Sequence, residues 1–259
     1  MKRLFAIVIA VAIIGIGDLF AWGRVGHEII IEVAKRHITE KTKANIAKYM
    51  PYDITKDAVW MDDHRHDKPI AYTTSWHVYN VDEQFEYDMN PRIHKGDVIH
   101  AMKVADHNLS KLERLTDSAI VMNIRCLIHF AGDMHCPTHS EVPGPRTFWP
   151  CEYNGKNCKS FHSFYDHLPD MLYPNRLSAD VAAEIDNASN GEIKRIQKGT
   201  LLEWARENAK KNAIIYKWNP HNTAVLAPNT AELSHELVDL QMRNAGYRLA
   251  YLLNKYFNN

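Results

Sequence analysis

The residues with the clearest chemistry lie in LIHFAGDMHCPTH, residues 127–139. His129 and Asp133 are four residues apart, a spacing that places both side chains on one face of a helix. The Cys-Pro pair that follows favours a turn, which would bring His139 around toward them. Imidazole and carboxylate groups together are ligands of zinc and similar metals. His129 alone would be better explained as a core histidine, but Asp133 and His139 make this segment a predicted metal site.

The same residue types recur in three other parts of a chain that contains 15 histidines. They are His162 and Asp166 in SFHSFYD, Asp62 or Asp63 with His77 in VWMDDHRH and SWHVYN, and His27 in WGRVGHE. Each pattern alone occurs by chance in many helices. Four such clusters in one chain indicate a metal centre with several ions.

Helical periodicity of apolar residues predicts the elements that position these clusters. It predicts helices over 27–38, 97–115, 118–133 and 236–257. The one plausible β element is TFWPCEYNGKNCKSF, whose Asn-Gly pair is typical of a tight hairpin turn. Phosphate-binding motifs of nucleotide-cofactor folds are missing from the sequence. The expected class is therefore all-α, with one short β ribbon near 147–160.

The N-terminal segment has the features of a secretory signal. Lys2 and Arg3 precede an apolar run, and Ala21 supplies a small residue at the cleavage position. The apolar run is short for a bilayer span of about 20 residues, so a retained anchor is the weaker interpretation. We expect a signal peptide over 1–21, a single domain over 22–259, and a secreted or periplasmic location.

Charge and cysteine content add two expectations. The 31 basic and 31 acidic residues become 29 and 30 after signal removal, and this balance argues against duplex binding driven by phosphate neutralisation. An even number of cysteines suggests up to two disulfides without fixing the pairing, although one pair flanks the predicted hairpin. Zinc ligation by cysteine is disfavoured because no CxxC spacing occurs. The four cysteines are Cys126, Cys136, Cys151 and Cys158.

Six segments together resemble the zinc-dependent single-strand nucleases, the family of mung-bean nuclease and related 3′-nucleotidases, with zinc phospholipase C as a distant relative. They are WGRVGHE, WMDDHR, SWHVYN, HFAGDMHCPTHSE, FHSFYD and LQMRNAGYRLAYLLN. Their order and spacing match that family from Trp22 nearly to the C-terminus.

The resemblance implies an all-helical single-domain fold that holds three Zn²⁺ ions. The implied ligands are Asp62, His77, His129 and Asp133 for the first ion; His27, Asp133 as a bridge, and the α-amino group and carbonyl of Trp22 for the second; and His139, His162 and Asp166 for the third. Asp62 is preferred to Asp63 because the family has its aspartate two residues after a tryptophan, here Trp60. Arg65 also matches a basic position of the family. This donor number leaves positions open for water and substrate, as in catalytic rather than structural zinc sites.

Two departures from the family pattern concern the substrate. Asn80 stands where many members have an aspartate that orients or deprotonates water, and an asparagine can accept a hydrogen bond but not a proton. Val78 stands where an aromatic residue stacks on a nucleobase. Phe148, Trp149 and Tyr153 are alternative stacking candidates, although packing of the ribbon against helices explains them equally well.

These observations predict an exported phosphodiesterase that cuts single-stranded RNA and DNA to 5′-mononucleotides and converts 3′-nucleotides to nucleosides. Asp133, Asn80 and Arg65 are the predicted catalytic residues, and a zinc-bound hydroxide is the expected base. Nucleic acid and nucleotides are the expected partners of a monomer with no stable protein partner and no membrane anchor after cleavage. Alternatives are a phospholipase C-like hydrolase of lipid phosphodiesters and a non-catalytic zinc-binding protein.

Overall fold

A computed structural model describes residues 22–89, 96–144 and 146–258 of the chain. The predicted signal peptide, 1–21, lies outside the described residues. The α-helices, in chain order, are α1 Arg24–His37, α2 Glu40–Ala47, α3 Trp60–His64, α4 Val98–Leu109, α5 Asp117–Asp133, α6 Phe161–Asp166, α7 Leu168–Leu172, α8 Ser178–Ile185, α9 Asn190–Gln197, α10 Leu201–Asn212, α11 Ile215–Trp218 and α12 Thr230–Phe257. Short 3₁₀ helices lie at Ile54–Asp57, Ala71–Ser75 and Leu112–Arg114. The predicted all-α class is confirmed.

Two small sheets accompany the helices in the described residues. β1 (Tyr79–Asn80) pairs in parallel with β2 (Ser140–Glu141). β3 (Cys151–Tyr153) pairs antiparallel with β4 (Lys156–Cys158), which confirms the predicted ribbon. Its turn uses Asn154 and Gly155 at positive φ, 50° and 75°, as a two-residue type I′ connection requires.

The core forms around α12, the 28-residue helix near the C-terminus. α1 packs along α12 and α8, while α5 packs against α4 and α12. α1 approaches α12 closely at Gly246, where a Cβ would lie only 2.5 Å from the Cβ of Val33. Because α5 is covered on both sides, its C-terminal turns are buried around their whole circumference, from Cys126 to Asp133. The helix that carries the strongest predicted metal motif is thus central.

Side-chain caps fix where the site helices begin. Thr116 accepts a hydrogen bond from the Ala119 amide at the start of α5, and Ser160 accepts one from the Ser163 amide at the start of α6. The helix predicted over 97–115 is shorter than expected, since α4 ends at Leu109 and a separate 3₁₀ turn follows. Among the described residues, none of the helices combines the length and apolar character needed to cross a membrane.

Candidate metal centre

The C-terminal half of α5 presents the two residues that anchor the site. His129 and Asp133 are fully buried on one face of the helix, 3.4 Å apart between Nε2 and Oδ2. His129 Nδ1 lies 3.0 Å from the carbonyl oxygen of Ala58, which accepts the Nδ1 proton. In a neutral imidazole the Nε2 lone pair is then left to face the cluster, as a metal ligand requires.

Two further side chains complete the first cluster. Asp62 comes from α3, and His77 follows the 3₁₀ helix Ala71–Ser75. His77 Nδ1 lies 2.9 Å from Asp133 Oδ2 and 3.5 Å from Asp62 Oδ1, and His129 Nε2 lies 3.5 Å from Asp62 Oδ2. Tetrahedral zinc with bonds of about 2.0–2.2 Å separates its N and O ligands by about 3.3–3.5 Å. The donor atoms of Asp62, His77 and His129 lie within 4.8 Å of one another, and Asp133 Oδ2 lies beside both imidazoles, an arrangement that suits one zinc ion.

The neighbouring carboxylate, Asp63, lies outside this cluster. Its side chain is about half exposed and lies 3.5 Å from the guanidinium of Arg24 at the surface. Asp62 is buried and reaches the cluster. The preference for Asp62 thus agrees with the helical geometry of α3, which points successive residues in different directions.

His27 forms a second group on the other oxygen of Asp133. Its Nε2 lies 3.3 Å from Asp133 Oδ1, and its ring stacks on His129 with centroids 4.2 Å apart. Gly132 makes this approach possible, because a Cβ there would lie 2.7 Å from His27 Nδ1. The two oxygens of Asp133 therefore face two different sets of imidazole donors.

Trp22 is packed directly against this second group. Its side chain is fully buried, and the indole Nε1–H donates to the carbonyl oxygen of Gly132 at 3.1 Å. The amide of Gly23 donates to the carbonyl oxygen of Asp166 at 2.7 Å. The backbone at residues 22–23 thus lies against segments that carry both Asp133 and Asp166.

The third predicted group also assembles. His139 Nε2 lies 3.3 Å from Asp166 Oδ1, and His162 Nε2 lies 3.6 Å from Asp166 Oδ2. The two imidazole rings stack with centroids 4.5 Å apart. Their Nδ1 atoms are hydrogen-bonded elsewhere, His139 to the carbonyl oxygen of His77 at 2.6 Å and His162 to the hydroxyl of Thr147 at 3.2 Å. Each Nε2 is thereby aimed at the carboxylate.

Cys136 stands at this third group, although sequence reasoning disfavoured a cysteine ligand. Its Sγ is buried and lies 3.9 Å from Asp166 Oδ1, and its donor atom clusters with those of His139 and Asp166. In the sequence, Cys136 could have been identified as a candidate ligand from its position three residues before His139. CxxC spacing does not describe that arrangement.

Burial dominates the electrostatics of these groups. It lowers the pKa of His27, His77, His129 and His139 and that of His162 to about 3. It raises the pKa of Asp133 and Asp166 well above the usual range. Neutral imidazoles are the protonation state that binds metal, and a buried carboxylate needs a cation to be stable in its charged form.

Unsatisfied polar atoms provide a direct test of whether metal ions fit. Within the described part of the chain, both ring nitrogens of His27, Asp133 Oδ1 and Asp166 Oδ2 are buried without a hydrogen-bond partner. Leaving buried polar atoms unpaired costs about 1–3 kcal/mol each. These four atoms belong to the predicted ligand set, whereas others, such as Glu141 Oε1 and Tyr216 OH, lie outside it. Divalent cations would pair these atoms and compensate the buried carboxylates, so the residues fit a metal centre.

A polar network holds the loop between α5 and β2. Asn208 Nδ2 donates to the carbonyl oxygen of Met134, and Asn212 Nδ2 donates to the hydroxyl of Ser140 at 2.9 Å. His135, which is not among the predicted ligands, is buried here. Its Nδ1 bonds the Ala131 carbonyl oxygen and its Nε2 accepts from Arg248. Both ring nitrogens are thus used structurally.

The predicted catalytic residues beyond the ligands lie at the margin of the centre. Arg65 is buried, with Nη1 3.6 Å from Asp62 Oδ1. Asn80 ends β1, three residues after His77, and lines a cleft of about 400 Å³ with Glu141 and Arg146. Val78 is half-buried beside it.

The aromatic candidates differ in exposure. Phe148 is 38% exposed, and its ring stacks on His162 with centroids 4.6 Å apart. Trp149 is buried, stacks on Phe161 and donates its indole N–H to Thr223. Tyr153 packs against Phe164 and donates its hydroxyl to Pro228. Packing therefore accounts for Trp149 and Tyr153, while Phe148 stays partly exposed beside the third group.

The cysteines of the ribbon face each other. Cys151 and Cys158 are register partners across β3 and β4, and all four cysteines are free thiols. A hydrogen bond from Cys151 lowers the pKa of Cys158 to about 7. The disulfides considered from the sequence are not formed here.

An all-helical fold that buries three adjacent His/Asp groups defines a candidate metal-dependent hydrolase with several ions. Comparison with known proteins makes the assignment specific, because the model of the S1/P1 nuclease family matches residues 22–258. The chain therefore belongs to the S1/P1 nuclease family and is a nuclease. It is similar to Nuclease PA3 from Penicillium sp, with 22% identity over 274 residues, 90% of this chain and 97% of that protein. The predicted family and nuclease activity are confirmed.

Proposed function

We propose that this nuclease is an exported phosphodiesterase with three zinc ions, which cuts single-stranded RNA and DNA to 5′-mononucleotides and dephosphorylates 3′-nucleotides. One observation carries the proposal. The two oxygens of Asp133 face different imidazole groups, Oδ1 at 3.3 Å from His27 and Oδ2 at 2.9 Å from His77. A carboxylate shared in this way is the arrangement expected for a ligand that bridges two metal ions.

The proposed ligand sets follow the three groups. Asp62, His77, His129 and Asp133 would hold one ion; Asp133, His27 and the terminal amine and carbonyl of Trp22 a second; and His139, His162 and Asp166 a third. Bound zinc ions would supply Lewis acidity toward phosphate oxygens and a water of lowered pKa.

The protein's own residues would orient the substrate. The side-chain amide of Asn80 can hydrogen-bond water or a base in the cleft, but it cannot accept a proton. Arg65, next to Asp62, carries positive charge at the edge of the centre, where a phosphate oxygen would bind. The exposed face of Phe148 would stack on a base, a contact worth roughly 1–3 kcal/mol.

The first residue of the mature chain would take part in site assembly. The buried indole of Trp22 fixes that residue against Gly132, and the family match begins at Trp22. Cleavage after Ala21 would free an α-amino group at this position for chelation. We expect a protein with one additional residue before Trp22 to bind one zinc ion fewer and to lose most activity. Full activity in that protein would exclude a role for the terminal amine.

A substrate panel with paired variants tests the whole proposal. Purified protein beginning at Trp22 is incubated with single-stranded DNA, RNA, 3′-AMP and phosphatidylcholine, with and without a chelator. We expect chelator-sensitive cleavage of the first three substrates. Asp62→Asn should lose activity and zinc, whereas Asp63→Asn, which changes an exposed neighbour on the same helix, should keep both. Cleavage of the lipid alone would favour the phospholipase-like alternative, and an inactive zinc-loaded protein the non-catalytic one.

A further inference from the structure

We infer that Cys136 is a further protein ligand of the third ion, beside His139, His162 and Asp166. This inference rests on the proposed zinc centre and refines one of its ligand sets. It reverses the expectation from the sequence that no cysteine binds metal.

The donor spacing supports this assignment. Cys136 Sγ lies 3.9 Å from Asp166 Oδ1, on which His139 Nε2 also converges at 3.3 Å. The donor atoms of Cys136, His139 and Asp166 all lie within 4.8 Å of one another. In tetrahedral zinc, a sulfur bonded at about 2.3 Å and an oxygen bonded at about 2.1 Å are about 3.6 Å apart. Cys136 therefore needs to move only a few tenths of an ångström to share an ion with Asp166.

Two further observations support a metal ion bound beside Asp166 and Cys136. Asp166 Oδ2 is fully buried and has no hydrogen-bond partner among the described residues. The Cys136 backbone is fixed, since its amide bonds the carbonyl oxygens of Gly132 and Asp133 and its own carbonyl oxygen accepts from Asn212. The backbone that carries the thiol is thus held next to Asp166 by the turn after α5.

Binding exchanges the proton of the Cys136 thiol for the metal ion. The Cys136 thiol releases its proton to solvent as the sulfur–zinc bond forms, and with Asp166 it supplies two negative charges for one divalent ion. The thiolate would thus add a sulfur donor beside the imidazole of His139 and the carboxylate of Asp166, and zinc binds all three kinds of donor.

Cobalt substitution tests the inference because a thiolate ligand gives Co²⁺ a strong near-ultraviolet charge-transfer band. Protein reconstituted with Co²⁺ is compared among the wild type, Cys136→Ala, Cys136→Ser and a variant in which Cys126, Cys151 and Cys158 are all serine. We expect the band in the wild type and the triple variant and its loss in both Cys136 variants. Zinc X-ray absorption should show sulfur at about 2.3 Å in the same two proteins.

The outcomes separate this inference from the proposed function. Wild-type protein that binds three Co²⁺ ions without a thiolate band would show that Cys136 is a buried thiol hydrogen-bonded to Asp166. This result would overturn the inference about Cys136 and leave the proposed zinc centre unaffected. A band that persists in a folded Cys136→Ala protein, with native circular dichroism, would also overturn the inference. Failure to bind any Co²⁺ or Zn²⁺ would overturn both proposals.

Discussion

Gly132→Ala is the single substitution that tests the position of His27 most directly. Gly132 lies on α5 immediately before Asp133, and a Cβ there would lie 2.7 Å from Nδ1 and 2.8 Å from Cε1 of His27. The substitution adds one methyl group, removes no ligand and favours the helix by about 1 kcal/mol. A loss of activity would therefore come mainly from displacement of His27, since the next nearest atom to the new Cβ is Cδ1 at the flexible end of Ile30, 3.2 Å away.

The displacement can be estimated from the contact distances. Ordinary van der Waals contact begins at 3.4 Å, so His27 must retreat by about 0.7 Å from a Cβ at 2.7 Å. The ring has little room for this, since it stacks on His129 with centroids 4.2 Å apart. Metal–ligand distances tolerate about 0.2 Å, and a misplacement of about 1 Å in an active site costs on the order of 100-fold in rate. We expect a loss of roughly that size, together with weaker binding of one zinc ion.

The assay measures zinc per chain by elemental analysis and the rate of cleavage of single-stranded DNA. Gly191→Ala is the matched control, because Gly191 lies in α9 and a Cβ there would have nothing within 4 Å. The control should keep zinc content and rate. A Gly132→Ala protein with normal zinc and normal rate would refute the assignment of His27 as a ligand.

Two further predictions address stability. Gly246→Ala places a Cβ 2.5 Å from Val33 Cβ and should destabilise the α1–α12 contact by about 1–3 kcal/mol, measured by urea unfolding against the same Gly191→Ala control. His162 has a folded-state pKa of about 3 against an ordinary value of 6.5, so the unfolded state binds more protons between these values and stability falls as pH decreases. Between about pH 6.5 and pH 5, the free energy of unfolding of chelator-treated wild type should therefore fall by about 2 kcal/mol more than that of chelator-treated His162→Gln. Equal losses in the two proteins would contradict this.

Local patterns predicted the parts of the site that depend on local geometry. His129 with Asp133, and His162 with Asp166, are i,i+4 pairs on helices, and helix geometry alone brings each pair together. The Asn154–Gly155 turn likewise follows from the need for positive φ at both positions.

Other features depend on contacts between distant segments, which periodicity does not encode. The β1–β2 pair has two residues per strand, yet it joins Tyr79 to Ser140 and so fixes the distance between the loops that carry His77 and His139. Burial of His135 depends on Arg248, 113 residues away. Packing of Trp149 on Phe161 likewise depends on how the ribbon lies against α6.

The way each histidine is held explains why Gly132 matters most for His27. His129, His139 and His162 have Nδ1 hydrogen-bonded to Ala58, His77 and Thr147, so hydrogen bonds fix the orientation of each ring. Neither nitrogen of His27 has such a partner among the described residues. Its position depends on stacking against His129 and on the space left by Gly132. A ring whose second nitrogen has no hydrogen bond moves more readily when packing changes than a hydrogen-bonded ring does, so loss of zinc in Gly132→Ala should begin at the ion shared by His27 and Asp133.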